Sequence, residues 1–370
     1  MSNKRYFITG GGTGGHIYPA VAVAEELLHQ PNTEQIFYVG NPNNLEASIV
    51  KDKGFKFLPV ISAGMPRKIG FRLIKWAFEM FFAWIKCCKY IKEYKPDVIF
   101  GTGGYVSAPV MLAGITMKIP FVMHDCDANP GLVTRKLAPF AKSVSIAFEA
   151  ARDKINNPNC FVNGNPIRRE FNQISKIKAL QNLDLEDKLT ICIMGGSQGA
   201  RRINTAATRI LEHLSKNLNL QVIFQTGKKN FDEVVHELEG IYPNYKHDKN
   251  ILIKPYFDNM PEVLKASDIA VSRAGSLSIS ELCASSIATI YIPYPYAAAD
   301  HQRKNAKYMV EKGAGLYLED EDTCPQTLYK LIEDLVNNPG QLSQIRTSAT
   351  KLAKFDGSEK IAQLVIDCAK

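Results

Sequence analysis

The sequence predicts an α/β protein made of two doubly wound parallel-sheet domains with a cleft between them. Two observations carry that prediction. A short β-branched or aromatic run, a glycine-rich turn and a helical pattern recur in that order, which is how parallel βαβ units read. The recurrence fills both halves of a chain whose 370 residues exceed one ordinary domain. Between the two series lies CFVNGNPIR, residues 160–168, where Asn, Gly and Pro crowd together as in a linker. The domains expected are therefore 1–163 and 164–370, both Rossmann-like, with a final helix free to pack back on the first. Ligands of such sheets bind outside the carboxyl ends of the strands, here the edges lining the cleft.

In chain order, residues 4–9 (KRYFIT) read as a strand, 10–15 as a loop and 17–28 as a helix with Pro19 in its first turn. Strands follow at 35–39, 97–100 and 121–124. In the second half, 189–194 is a strand, 195–199 a loop and 200–214 a helix. Residues 221–225, 251–254, 269–271 and 288–292 continue that sheet.

Composition narrows the class. At 45% hydrophobic and 22% charged the chain is globular. The eight cysteines, Cys87, Cys88, Cys126, Cys160, Cys192, Cys283, Cys324 and Cys368, form no CxxC pair, which speaks against zinc or a disulfide framework and for a reducing compartment. MSNKRYFITGGG passes from a short apolar run straight into glycines, unlike a signal peptide. No run of 18 uncharged apolar residues exists, so any membrane contact is expected to be peripheral. The net charge of +8 suits anionic lipid, nucleotide phosphates or nucleic acid equally.

Three loops follow strands and open helices: GGGTGGH (10–16), GTGG (101–104) and GGSQGA (195–200). Glycine lets the backbone approach phosphate, and a helix start adds about half a positive charge, so each loop is a potential anion site that needs no metal. None matches GxxxxGK[ST], and Val39 and Gly40 stand where a dehydrogenase would carry an acid, so nucleoside triphosphatases and simple dehydrogenases are disfavoured. A fourth segment, SRAGSLSISE (272–281), follows a strand and enters a helix. Ser276, Leu277, Ser278, Ile279 and Ser280 would present hydroxyls and first-turn amides to phosphate beside Arg273, and Glu281 would accept ribose hydroxyls. Alternatively Ser276 merely caps the helix. Asp300, His301 and Gln302 have the character of sugar-hydroxyl ligands.

The segment from Pro66 to Lys89, PRKIGFRLIKWAFEMFFAWIKCCK, reads as one helix. Arg72, Lys75, Glu79, Lys86 and Lys89 fall in one sector and leave an apolar arc of roughly 240°, where packing on one domain needs only about 100°. Part of the set Trp76, Met80 and Trp84, or of Phe71, Phe78 and Phe82, is then left exposed beside Lys and Arg, as suits the edge of an anionic bilayer.

Six ordered motifs, GGTGGHIYPA, GTGGYVSAP, GNPIR, GGSQGARRIN, SRAGSLSISE and ADHQRKNA, run nearly end to end and resemble the MurG family of peptidoglycan glycosyltransferases, which have the two-Rossmann GT-B fold. The resemblance implies inverting transfer of N-acetylglucosamine from UDP-N-acetylglucosamine to the 4-hydroxyl of the muramyl sugar of lipid I, giving lipid II at the cytoplasmic face of the inner membrane. It implies no cofactor, no metal and no nucleic acid, and admits other cell-wall synthesis proteins as partners. The second domain would hold the donor. Ser197 and Gln198 lie in its diphosphate loop, Arg168 would lie against the uracil, Glu281 would bind ribose, the Phe257 backbone would read the uracil edge, and Gln302 would grip sugar hydroxyls. In the first domain, which faces the acceptor, Thr13, Gly14 and Gly15 would close over the transferring sugar, His16 would stand beside the reacting groups, and Tyr105 would help seat the acceptor.

One departure stands out. The family pattern HEQN is replaced by His124-Asp125-Cys126-Asp127, so a donor-sugar contact at Asp127 changes from an amide to a carboxylate that only accepts. Asp125 and Asp127 also spell DxD, a metal-diphosphate string in other transferases. The catalytic base stays open among His16, Asp127 and Asp125. Competing readings are a UDP-N-acetylglucosamine 2-epimerase, a glycolipid-forming glycosyltransferase of the same fold, and a nucleotide-binding sensor or scaffold.

Overall fold

Runs of Val, Ile, Phe and Tyr that are buried on both faces build the strands, as expected of parallel sheets covered by helices. The computed structural model describes residues 3–66, 70–196, 198–218 and 220–369. The chain divides into two units, Met1–Ile167 with Lys354–Lys370, and Arg168–Ala353.

The first unit holds strands β1 (Lys4–Thr9), β2 (Thr33–Gly40), β3 (Lys56–Pro59), β4 (Val98–Gly101), β5 (Phe121–Asp125), β6 (Ser143–Ile146) and β7 (Cys160–Val162). They are all parallel, in the order β3-β2-β1-β4-β5-β6-β7. The second unit holds β8 (Thr190–Met194), β9 (Gln221–Gln225), β10 (Ile251–Lys254), β11 (Ile269–Ser272), β12 (Ala288–Tyr291) and β13 (Leu316–Tyr317), parallel in the order β10-β9-β8-β11-β12-β13. Each sheet runs outward from its first strand in both directions, so the strand order reverses between β1 and β4 and again between β8 and β11. Ligands of doubly wound sheets bind at such switch points. Register makes the switch points level. Thr9 pairs with both Val39 and Gly101, and Met194 with both Gln225 and Ser272, so three neighbouring loops leave each sheet at one height.

The structure bears out the α/β, doubly Rossmann-like fold class and corrects details. β3, β6, β7 and β13 were not read from sequence; none exceeds four residues, too few for a period to declare itself. The stretch read as a linker begins with β7, an edge strand in which Cys160 is buried. The first helix starts at Gly14 rather than Ile17, putting the second half of the first glycine loop into its opening turn.

The last helix, Gly357–Cys368, buries Ile361, Ala362 and Val365 among Ile17, Val21, Phe100 and Val122 of the first unit. Its apolar stripe thus completes a core begun more than 200 residues earlier. Truncating Ile361 leaves a cavity there: Ile361→Ala is expected to lower the unfolding free energy by about 2–4 kcal/mol. Thermal and urea unfolding followed by circular dichroism should show it, with the exposed Glu359→Ala near wild type.

Candidate functional site

In the first unit, the loop after β1 is fixed from beneath. The Tyr38 hydroxyl donates to Gly10 O at 2.6 Å, and the Gly12 amide donates to the Glu46 carboxylate at 3.3 Å. His16 lies in the opening turn of the helix Gly14–Leu28, and its Nδ1 is 2.8 Å from Thr102 O. A carbonyl only accepts, so Nδ1 carries the hydrogen and the neutral ring keeps the Nε2 lone pair free. Thr102 Oγ1 returns a bond to His16 O at 2.6 Å. The ring fits because Gly104 has φ +74° and no side chain; a Cβ there would lie 2.7 Å from Gly11 O and 3.2 Å from His16 Cδ2. Thr13 is the exposed N-cap of this helix and makes no side-chain cap, while Gly14 and Gly15 are half-buried. Tyr105 accepts from Asn44 Nδ2 at 3.0 Å, so its own hydroxyl hydrogen is left to donate.

At the end of β5, the two aspartates of the DxD string separate in role. Asp125 is 4% exposed. Its Oδ1 accepts the Asp127 amide at 3.2 Å and its Oδ2 the Gly131 amide at 3.1 Å, so it closes the 125–131 turn. Burial is the largest influence on Asp125 and pushes its pKa up. Asp127 is half-buried beyond it. Each oxygen of Asp125 is thus bonded to a backbone amide of its own turn. Among the described residues, no cluster of three or more His, Cys, Asp or Glu side chains is arranged for a metal. Cys126, in the altered HEQN position, donates its thiol to Gly15 O at 3.2 Å and so joins this turn to the first glycine loop.

Beneath the turn, His124 is fully buried, with Nδ1 3.1 Å from Ser145 Oγ and Nε2 3.1 Å from Asn165 Oδ1. Asn165 Nδ2 donates to Cys126 O at 3.3 Å, linking GNPIR to the turn. Burial drives the His124 pKa down to about 4, against the pull of Asn165.

In the second unit, Gly199 has φ +78° and packs so tightly that a Cβ would lie 2.2 Å from Thr226 O; glycine is required for this loop to lie on its neighbour. Asn230 Nδ2 donates to Gln198 O at 3.2 Å, and Gln198 itself is exposed. Ser197 lies outside the described residues. The helices that follow, Arg201–Lys216 after β8 and Ser276–Ala284 after β11, both start without a side-chain cap. Ser276 is the first helical residue and Gly275 the N-cap, which removes the reading of Ser276 as a cap. The amides of Ser276, Leu277 and Ser278 head that helix. Ile279 does not belong with them: its side chain is in the core and its amide bonds Gly275 O at 2.9 Å. The Ser280 hydroxyl donates back to Ser276 O at 3.1 Å.

Glu281 Oε1 accepts from Arg168 Nε and Nη2 at 3.2 and 3.1 Å, leaving Oε2 for another donor. Burial raises the Glu281 pKa, opposed by the Arg168 charge. Phe257 is buried and its amide is taken by Gln225 Oε1 at 2.9 Å, so only its carbonyl is left for a base edge. Gln302 Oε1 accepts the Tyr294 amide at 2.9 Å, which aims its NH₂ donors elsewhere. Arg273 departs from expectation. Its Nη1 meets Ile292 O and Pro293 O at 3.1 Å each and Asp320 Oδ1 at 2.6 Å, and Asp320 is shared with Arg202 at 3.4 Å, so the guanidinium is held within its own unit. Sequence reasoning missed Thr102, Glu46, Gln225 and Asp320. Gln225 and Thr102 share one readable signal, a polar residue at or just past the carboxyl end of a strand.

The helix Phe71–Tyr94 turns a narrow stripe of Ala83, Cys87 and Ile91 into the core. Trp76 and Trp84 are half-buried, with Trp76 Nε1 donating to Ala63 O at 2.8 Å and Trp84 Nε1 to Thr116 Oγ1 at 3.2 Å. The exposed set is instead Phe71, Ile74, Phe78, Phe81 and Phe82, each more than half exposed. At about 100° per residue these occupy an arc of roughly 100°, bordered by the exposed Arg72, Lys75, Lys86 and Lys89. Residues 67–69 of this segment lie outside the described residues. Among the described residues, no helix is long and apolar enough to cross a membrane.

Comparison with known proteins agrees in both units. Residues 6–146 match the glycosyltransferase family 28 N-terminal domain and 190–363 the glycosyltransferase family 28 C-terminal domain. A relative from Desulforamulus reducens, named UDP-N-acetylglucosamine–N-acetylmuramyl-(pentapeptide) pyrophosphoryl-undecaprenol N-acetylglucosamine transferase, is 38% identical over 98% of both chains. The crystal structure of Acinetobacter baumannii MurG superposes with a TM-score of 0.80 at 25% identity, covering 98% of this chain and 99% of that one. A crystal structure of a UDP-N-acetylglucosamine 2-epimerase, at 12% identity and a TM-score of 0.64 over 97% of this chain and 95% of its own, shares the fold alone.

The buried His124 makes stability depend on pH. Its folded pKa of about 4 lies below the ordinary value of 6.5, so the unfolded chain binds the extra proton between them. The stability is full above pH ~6.5 and drains away as pH falls toward ~4. Between pH 7 and 5, wild type is expected to lose about 2 kcal/mol more unfolding free energy than His124→Gln. Urea titrations at the two pH values measure the difference, and parallel slopes for both proteins would refute it.

Proposed function

The chain belongs to the family 28 glycosyltransferases that carry N-acetylglucosamine onto N-acetylmuramyl-(pentapeptide) pyrophosphoryl-undecaprenol, and on that premise we propose that it converts lipid I to lipid II with UDP-N-acetylglucosamine as donor. The observation that carries this reading is the pair of uncapped helix starts, Arg201 and Ser276, that follow the register-aligned strands β8 and β11. Unpaired first-turn amides and the partial positive charge of two helices suit a diphosphate and stabilise it further as it departs. With Arg273 anchored on Asp320 and two carbonyls, the backbone amides carry most of that field.

Around the diphosphate, Glu281 Oε2 accepts ribose hydroxyls while Arg168 holds Oε1. The Phe257 carbonyl accepts from the uracil, and the Gln302 NH₂ group donates to the sugar. In the first unit, His16 Nε2 takes the proton of the acceptor 4-hydroxyl as its oxygen attacks the anomeric carbon. One carbon–oxygen bond forms as the bond to UDP breaks, which inverts the centre. Imidazole suits this task near neutral pH, and Thr102 fixes the tautomer that does it. Asp127 accepts a hydroxyl of the transferring sugar, and the Tyr105 hydroxyl donates to the acceptor.

The enzyme works as a peripheral protein at the inner face of the membrane. The exposed Phe71, Phe78, Phe81 and Phe82 with their basic border form a face that enters the headgroup boundary where the lipid acceptor lies. An epimerase acting on a free nucleotide sugar has no need of it.

Incubation with UDP-N-acetylglucosamine and lipid I is expected to add one N-acetylhexosamine to the lipid, read by mass spectrometry; no mass gain with intact substrates overturns the reaction. In the same assay His16→Ala should lose ~10²–10⁴-fold in kcat, while Asp127→Asn keeps most of it. A wild-type rate for His16→Ala would remove it as the base. Replacing Phe78 and Phe82 together by Glu should weaken binding to vesicles containing phosphatidylglycerol by at least ~10-fold, with affinity for UDP-N-acetylglucosamine unchanged. Trp84→Glu is the poorer probe because Trp84 packs on the core.

A further inference from the structure

Glu46 is fully buried at the start of the short helix Glu46–Asp52 and accepts hydrogen bonds from neutral donors. Its Oε2 accepts the Gly12 amide at 3.3 Å; its Oε1 accepts the Asn41 amide and Asn44 Nδ2, each at 3.2 Å. Each donor belongs to a network that reaches a different loop. Asn44 Nδ2 also donates to the Tyr105 hydroxyl at 3.0 Å, and Asn41 Nδ2 donates to Ser62 O at 2.7 Å. Bonds from one carboxylate therefore reach the loops after β1, β2, β3 and β4, four neighbours in the sheet. The packing is close: a Cβ on Gly11 would lie 2.4 Å from Glu46 Oε1, and one on Gly40 3.0 Å from Glu46 Cγ.

A buried carboxylate is costly unless several donors converge on it, and here the donors are the parts that the acceptor side of the reaction needs in place. We propose that Glu46 is a positioning residue for acceptor recognition, an internal hydrogen-bond acceptor that sets the first glycine loop through Gly12 and Tyr105 through Asn44. The inference rests on the transferase reading for its substrate and on the geometry alone for its local effect. Occupied from within, the Gly12 amide is unavailable to an outside phosphate. The loop acts as a shaped wall: Thr13, Gly14 and Gly15 border the transferring sugar, and the acceptor meets the wall at Tyr105.

Glu46→Gln keeps the shape but replaces one acceptor by a donor. With the amide oxygen toward Asn41 and Asn44, its NH₂ faces the Gly12 N–H. The variant is expected to fold, to keep the KM for UDP-N-acetylglucosamine within twofold, and to lose ~10–100-fold in kcat/KM for lipid I, chiefly in KM. Hydrogen exchange measured by mass spectrometry should rise over residues 10–16 and stay unchanged in the second unit. Asn44→Ala removes the bridge between Glu46 and Tyr105 while leaving the Gly12 and Asn41 bonds to Glu46 in place, and should raise the acceptor KM several-fold with the donor KM unchanged; it carries the kinetic test if Glu46→Gln does not fold. An acceptor kcat/KM within twofold of wild type in the folded Glu46→Gln protein, or equal losses for donor and acceptor, overturns the inference. Unaltered exchange over residues 10–16 does so as well. If wild type itself turns over no lipid I, the transferase reading fails, and the exchange readout still decides whether Glu46 holds the loop.

Discussion

The first amides of a helix have no partner inside it, and how each set is satisfied decides what every glycine loop of this protein can do. Four glycine loops that enter helices diverge in what surrounds the helix start. After β1, the Gly12 amide, just ahead of the helix, is answered from below by Glu46, which turns the loop into a fixed wall. After β8 and β11, no side chain caps the helix. After β4, positive φ at Gly103 and Gly104 lets the backbone lie against the His16 ring. One strand-to-helix geometry thus yields a wall, a pair of open helix starts and a rest for an imidazole.

Charged side chains play a smaller part than their number suggests. Arg273 is turned into two carbonyls and Asp320, and Arg168 is spent on one oxygen of Glu281. A field built of backbone dipoles is set when the fold forms and needs no rearrangement as charge develops on a leaving diphosphate. Polar groups of both units are likewise fixed by neutral partners: Thr102 orients His16, Gln225 occupies the Phe257 amide, and Tyr294 orients Gln302. Asp125 and His124 serve the same end from inside, one closing a turn and the other tying that turn to Asn165.

The helix Phe71–Tyr94 shows how one element answers two environments. Its core stripe is narrow, with the small residues Ala83 and Cys87 where the helix packs closely on the helix Gly104–Met117. Among the described residues the phenylalanines of the opposite arc stand in the open with lysines beside them.

Sequence alone determined the fold class, the place of most central strands, and the loops that open onto the strand ends, because alternation, helical period and glycine chemistry are local. It could not supply the partners. Glu46 reaches Gly12 across 34 residues, Thr102 reaches His16 across 86, and Gln225 reaches Phe257 across 32, contacts that exist only once parallel strands are in register. Nor could it choose which aromatic face of residues 71–94 is exposed, whether Arg273 points at a ligand or at Asp320, or that Ile279 faces the core. A single residue's period or charge fits either outcome, and burial, which only packing creates, decides between them.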